Sequence, residues 1–177
     1  LAYDLPKWSK DKSKIAFMGG IITSSGTNQE AYSIKMDGSG LQKLTTSTTI
    51  VPGQPQFLPD GNTIILVGQN KRATISQCGD FDIFVYSLKT LILRPLTTQP
   101  CLDSDPRVSP DGTKIAFVSD GGVLGGNDQI YTMDVNGANK KRITKNSFYD
   151  YDPAWSPDGR FLIYGGYRGE GPPIDPA

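Results

Sequence analysis

The chain has 177 residues with 18 Lys plus Arg against 18 Asp plus Glu, and this balance removes the electrostatic drive toward nucleic acid or an anionic membrane surface. It contains no histidine, so a Ser-His-Asp or Cys-His constellation and a His-ligated zinc site are excluded within it. Twenty Gly, thirteen Pro and an acidic complement that is almost entirely Asp describe short strands joined by tight turns, and no apolar run is long enough to span a bilayer.

In chain order, the first predicted unit opens with DLPKWSKDKSKIAFMG from residue 4. Pro6 and Trp8 lead into a turn at Asp11-Lys12, and the apolar run after it reads as a second strand. A loop over 19–30, a third strand AYSIKMD (31–37), a turn at Asp37-Gly38-Ser39-Gly40 and a closing strand LQKLTT (41–46) complete the unit. The second unit repeats the order with GQPQFLPDGNTIILVG from residue 53, a loop over 68–80, FDIFVYSL (81–88) and ILRPLTT (92–98). The third runs SDPRVSPDGTKIAFVS, a loop over 119–128, QIYTMDV (129–135), a turn at Asn136-Gly137 and KKRITK (140–145). The fourth supplies only YDPAWSPDGRFLIYGG (151–166), because the tail GYRGEGPPIDPA has Gly and Pro where a third strand is due.

The four copies start 49, 51 and 47 residues apart, a period that belongs to repeat architectures. The D-G steps Asp60-Gly61, Asp111-Gly112 and Asp158-Gly159, flanked by apolar runs, are hairpin signals. The runs IAFM, TIILV, IAFV and FLIY are nearly continuous rather than alternating, as in strands buried on both faces. A four-stranded antiparallel sheet at this period is the signature of a propeller blade, whereas a sandwich has no reason to repeat its turns. The predicted fold is an all-β propeller domain with blades at about 5–46, 54–98 and 105–145 and the inner strands of a fourth at 152–166.

The pattern D-P-x-W-S-P-D-G-x-x-I-A-F, then I-Y-x-M-D, then a basic outer strand ending in L-T or I-T, resembles the TolB-like β-propeller repeat family. Asp105-Pro106 to Phe117, Ile130 to Asp134, Ile143-Thr144 and Asp152-Pro153 to Gly159 carry the resemblance. Unit one departs from it at its turn, and unit two at Gln54, Leu58 and Thr90. The resemblance implies a ring of six or more blades, so a chain with fewer is expected to join further copies as a homo-oligomer, to form an unusual small propeller, or to be part of a longer protein. It also implies a periplasmic or secreted setting. Its functions are the holding of protein partners, or service as the propeller of serine peptidases and other enzymes; a carbohydrate-active propeller is the alternative that the paired carboxylates raise. No leader segment is legible, and a start at Leu1 is read as a processed product or a fragment.

Blade topology puts the tight turns on one end of the sheets and the longer loops and links on the other, and function is expected on the long-loop face. There Asp103 with Asp105 and Asp150 with Asp152 form D-x-D-P motifs expected just before innermost strands. They read as Asx-turns, as oxygen ligands for Ca²⁺, or as a carboxylate pair for glycoside chemistry. No other cofactor is implied. Arg72, Tyr149, Tyr151, Tyr167 and Arg168 are candidate anchors for a protein or peptide partner. Trp8 and Trp155 are expected in the core, and Lys140-Lys141-Arg142 on a solvated edge strand. Cys78 and Cys101 fall on the same face, where a disulfide is feasible and would indicate an oxidising compartment.

Overall fold

The computed structural model describes residues 2–23, 26–46, 50–70 and 80–167. Among these residues there are fourteen strands and no helix. Unit one is β1 (Ala2–Trp8), β2 (Lys14–Thr23), β3 (Gly26–Lys35) and β4 (Gln42–Lys43). Unit two is β5 (Ile50–Phe57), β6 (Thr63–Asn70), β7 (Phe81–Ser87) and β8 (Ile92–Pro95). Unit three is β9 (Asp103–Val108), β10 (Lys114–Ser119), β11 (Gln129–Asp134) and β12 (Lys141–Arg142). The last sheet holds β13 (Tyr149–Trp155) and β14 (Leu162–Tyr167). Every sheet is up-and-down and antiparallel.

The S-x-D turn closes the inner hairpins of units one, three and four by the same chemistry. Ser109 Oγ donates to Asp111 Oδ1 at 2.6 Å and accepts from Lys114 N–H at 2.9 Å; Ser9 and Ser156 do the same in their units. Hydrogen bonds, from Ser9 first and then Ser13, hold the Asp11 carboxyl down to about 2, and Ser109 with Thr113 does so for Asp111. In unit two the serine is replaced by Leu58, which enters the core, and Asp60 binds Asn62 and Thr63 instead.

Each innermost strand carries a β-bulge at its proline. The register shifts between Asp4 and Lys7, between Gly53 and Gln56, opposite Ala116/Val118, and between Tyr151 and Ala154. The residue before the proline is left-handed in units two to four, with φ of 50° at Gln54, 47° at Asp105 and 48° at Asp152. Asp tolerates that conformation better than most residues. The D-x-D-P motifs therefore lie inside β9 and β13, not before them, because the bulge absorbs the proline and lets pairing resume on both sides.

The closing L-T or I-T step staples the outer strands. Leu44, Leu96 and Ile143 donate their N–H to the carbonyls of Ala31, Ile83 and Ile130, and the next residue's hydroxyl accepts from the N–H of those same three residues. Thr45, Thr97 and Thr144 also donate to the side chain just ahead: Glu30 at 2.7 Å, Asp82 at 3.1 Å and Gln129 at 3.2 Å. Short β4, β8 and β12 are thereby fixed by side chains where the ladder is too brief to fix them.

One apolar cluster joins units one and two through Ala16, Met18, Phe57, Ile64 and Leu66; another joins two and three through Ile65, Ile83, Ile115, Phe117 and Met133. The residue two past the proline packs on the preceding unit, as Phe57 and Val108 do. Trp155 obeys this rule and donates Nε1–H to Arg107 O at 2.9 Å. Trp8 corrects the core expectation: it is 53% exposed, because none of the described residues form a unit on its far side.

Candidate functional site

The antiparallel register of β13 and β14 places Tyr149 opposite Tyr167 and Tyr151 opposite Gly165. Cross-strand partners share a face of the sheet, so three tyrosines singled out by sequence lie together on it, each 43–47% exposed. Gly165 makes this possible: a Cβ there would fall 2.5 Å from Tyr151 Cε2. We expect Gly165→Ala to push the Tyr151 ring off the sheet at a cost of no more than about 1–2 kcal/mol, since the ring is free to swing. Thermal melts together with the ring chemical shifts of Tyr151 check this. Arg72 and Arg168 lie outside the described residues.

The acidic residues part ways. Asp105 Oδ1 accepts from Gln54 Nε2 at 2.5 Å, a bond between adjacent bulges, while Asp152 is exposed. Asp103 and Asp150, each 2% exposed, point into successive seams between units. Among the described residues no three carboxylates are grouped to hold a metal ion. The bulge gives Asp105 and Asp152 a backbone reason for being aspartate, distinct from the expected Asx-turn.

The seam between units two and three is polar at its loop end. Neither oxygen of Asp103 makes a well-formed hydrogen bond; Lys140 Nζ lies 3.6 Å from Oδ2, and burial raises this carboxyl above its ordinary range. Lys140 also sits 5.3 Å from the Phe117 ring centroid and 5.4 Å from that of Tyr131, and donates to Gln99 Oε1 at 2.8 Å. It is therefore not a plain edge charge like Lys141. Asp82 is 5% exposed and pushed up to about 6, by burial first and then by the charges of Asp103 and Asp80. Cys101, in the link beside this seam, is disulfide-bonded; the chain's other cysteine, Cys78, lies outside the described residues.

In the next seam, Asn146, Phe148, Asp150, Tyr164 and Gly166 line a pocket of about 280 Å³. Asn146 Nδ2 donates to Asp150 Oδ2 at 2.8 Å. The pocket lies on the long-loop end, where Asp150 N–H is tied to Asp128 O, and is lined by one face of the β13–β14 sheet. Tyr149, Tyr151 and Tyr167, expected on the loops, lie within the strands on the opposite face.

Repeated four-stranded sheets stacked through shared cores define a β-propeller chain. It belongs to the TolB β-propeller domain family, whose pattern matches residues 6–171. The chain is 34% identical over 142 residues to "Uncharacterized peptidase YuxL" of Bacillus subtilis (strain 168), covering 76% of this chain and 21% of that protein. It is 44% identical over 62 residues to "Tol-Pal system protein TolB" of Desulfosudis oleivorans, covering 35% of this chain and 14% of that one. TolB from Acinetobacter baumannii superposes with a TM-score of 0.75 at 24% identity, over 96% of this chain and 39% of that chain, a likeness of fold. The chain thus spans about a fifth or less of these two sequence relatives.

Proposed function

We propose that this chain is a non-catalytic propeller module that binds a protein or peptide through its long-loop face. The observation that carries the reading is the polar pocket between the third and fourth sheets; the exposed tyrosines lie on the opposite face of the fourth sheet. Tyrosines supply rigid, amphipathic contact area on one face of the sheet, and the buried Asp150 carboxylate supplies selectivity in the pocket on the other. A relative named for the Tol-Pal system supports a protein partner. The disulfide at Cys101 fits a periplasmic or secreted location.

Display of a random extended-peptide library on phage tests this. Enrichment should occur on the wild-type chain and fall at least about ten-fold on Tyr149→Ser/Tyr151→Ser, the loss expected when two interface anchors are removed. Equal enrichment on both proteins would sink the reading. A second reading, the propeller portion of a peptidase, is favoured by the match to YuxL. It predicts that the selected peptides are cleaved only when a separate catalytic domain is present.

A further inference from the structure

Strand register makes the seams between units comparable residue by residue. Pro52 pairs with Gly68, Asp103 with Ser119 and Asp150 with Gly166, so these three first-strand residues hold one place in successive seams. Two residues before each partner stand Leu66, Phe117 and Tyr164. On the outer strands, Pro95 pairs with Phe84 and Arg142 with Tyr131, so Leu93 and Lys140, each two residues earlier, also hold one place. Gln99 and Asn146 both follow the stapling threonine by two.

Two of the three seams show what this place requires. Where the first strand offers buried Pro52 over Leu66, Leu93 packs against the same apolar cluster. Where it offers Asp103 over Phe117, Lys140 lies against the carboxylate and the ring and donates to Gln99. Carboxylate and lysine change together with proline and leucine, as the cost of an uncompensated buried charge demands. In the third seam the carboxylate is Asp150, the ring is Tyr164 and the amide is Asn146, and these residues line the 280 Å³ pocket. Among the described residues, β14 pairs with β13 alone.

We propose that this pocket is a lysine site, receiving the ammonium of a β-hairpin that pairs antiparallel with the outer edge of β14 and belongs to the same repeat type as residues 129–145. Asp150 supplies the counter-charge and Tyr164 the π face over the alkyl chain and ammonium, while Asn146, whose Oδ1 already accepts from Phe148 N–H and Gln129 Nε2, orients the carboxylate through its Nδ2. The inference rests on the peptide-binding reading above and names the chemistry of the partner.

The test uses a fluorescein-labelled peptide with the chain's own sequence from residue 128 to 145, DQIYTMDVNGANKKRITK, titrated against the intact 177-residue chain by anisotropy. Its lysine at position 140 should be required: the Lys140→Met peptide is expected to bind about ten-fold more weakly, the scale of a lost buried charge pair. Asp150→Asn keeps an acceptor for Asn146 and should weaken the wild-type peptide by a similar factor, with little further effect on the Lys140→Met peptide. Tyr164→Leu, a second variant that leaves the carboxylate in place, should weaken the wild-type peptide more than the Met peptide. Equal binding of the two peptides, or equal losses for both on Asp150→Asn, overturns the lysine site and leaves the peptide-binding reading standing. No binding of either peptide overturns the lysine site; no phage enrichment as well would remove both readings.

Discussion

Thr97→Val should be the most destabilising of the three substitutions that remove a stapling hydroxyl, lowering stability by about 3 kcal/mol, or roughly 6–12 °C in melting temperature for a chain of this size. Valine keeps the shape but leaves the buried Ile83 N–H without its acceptor and Asp82 without its donor. The surroundings then decide the ranking. Glu30 keeps Lys43 Nζ at 2.9 Å when Thr45 is replaced, and Gln129 keeps Arg142 and bonds to Asn146 and Phe148 when Thr144 is replaced. The Thr45→Val and Thr144→Val losses should therefore stay nearer about 1–2 kcal/mol. Denaturant titration of the three variants gives the order directly. Equal losses would mean that the staple acts through its backbone bond alone, and that the side chain ahead of it adds nothing.

The staple also shows where reading the sequence stopped. L-T and I-T were visible as unit endings, yet a threonine at a strand end has many reasons to be there. Its partner fifteen residues earlier is Glu, Asp or Gln, three residue types that do not look like one position until the strands are paired. Hairpins were legible because turn chemistry is local: Ser, Asp and Gly at fixed spacing dictate their own closure. The bulge was not, since nothing in D-P distinguishes a residue before a strand from a left-handed residue within one.

Lys140 is the instructive case. In the run Lys140-Lys141-Arg142 all three look like edge protection, yet Lys140 turns into the seam and Arg142 reaches Gln129 and the Thr144 carbonyl. The signal lay in comparison across units: Leu93 stands in the place of Lys140 just where Pro52 stands in the place of Asp103. A site residue identified by an exchange between repeats cannot be found within any one repeat. The tyrosines were the reverse. Their residue type marked them, and strand register alone decided that Tyr149, Tyr151 and Tyr167 share a face.

Asp82→Asn should stabilise the chain at neutral pH, and the reason is again a comparison across units. The place from which Lys43 reaches Glu30 and Arg142 reaches Gln129 is taken in unit two by Pro95, which has no charge to offer. Asp82 is left with the Thr97 hydroxyl, the charges of Asp80 and Asp103, and the attraction of Lys140, and burial pushes it up to about 6. For an acid raised above its unfolded value of 3.8, the folded form binds the proton more tightly. Its contribution is favourable below the unfolded value and is lost as pH rises through about 6. A shift of two units sets an upper limit of about 3 kcal/mol, and relaxation around Asp82 brings the expected gain of Asp82→Asn at pH 7 to about 1–2 kcal/mol. Asparagine retains an acceptor for Thr97, so the staple survives. Melting temperatures of the two proteins should converge near pH 4 and diverge up to pH 7, by roughly 2–8 °C at the top. Pro95→Lys should narrow the same gap from the other side, by giving Asp82 the cation its counterparts have. A constant difference across that range would show that the substitution acts through packing, with the charge of Asp82 already compensated.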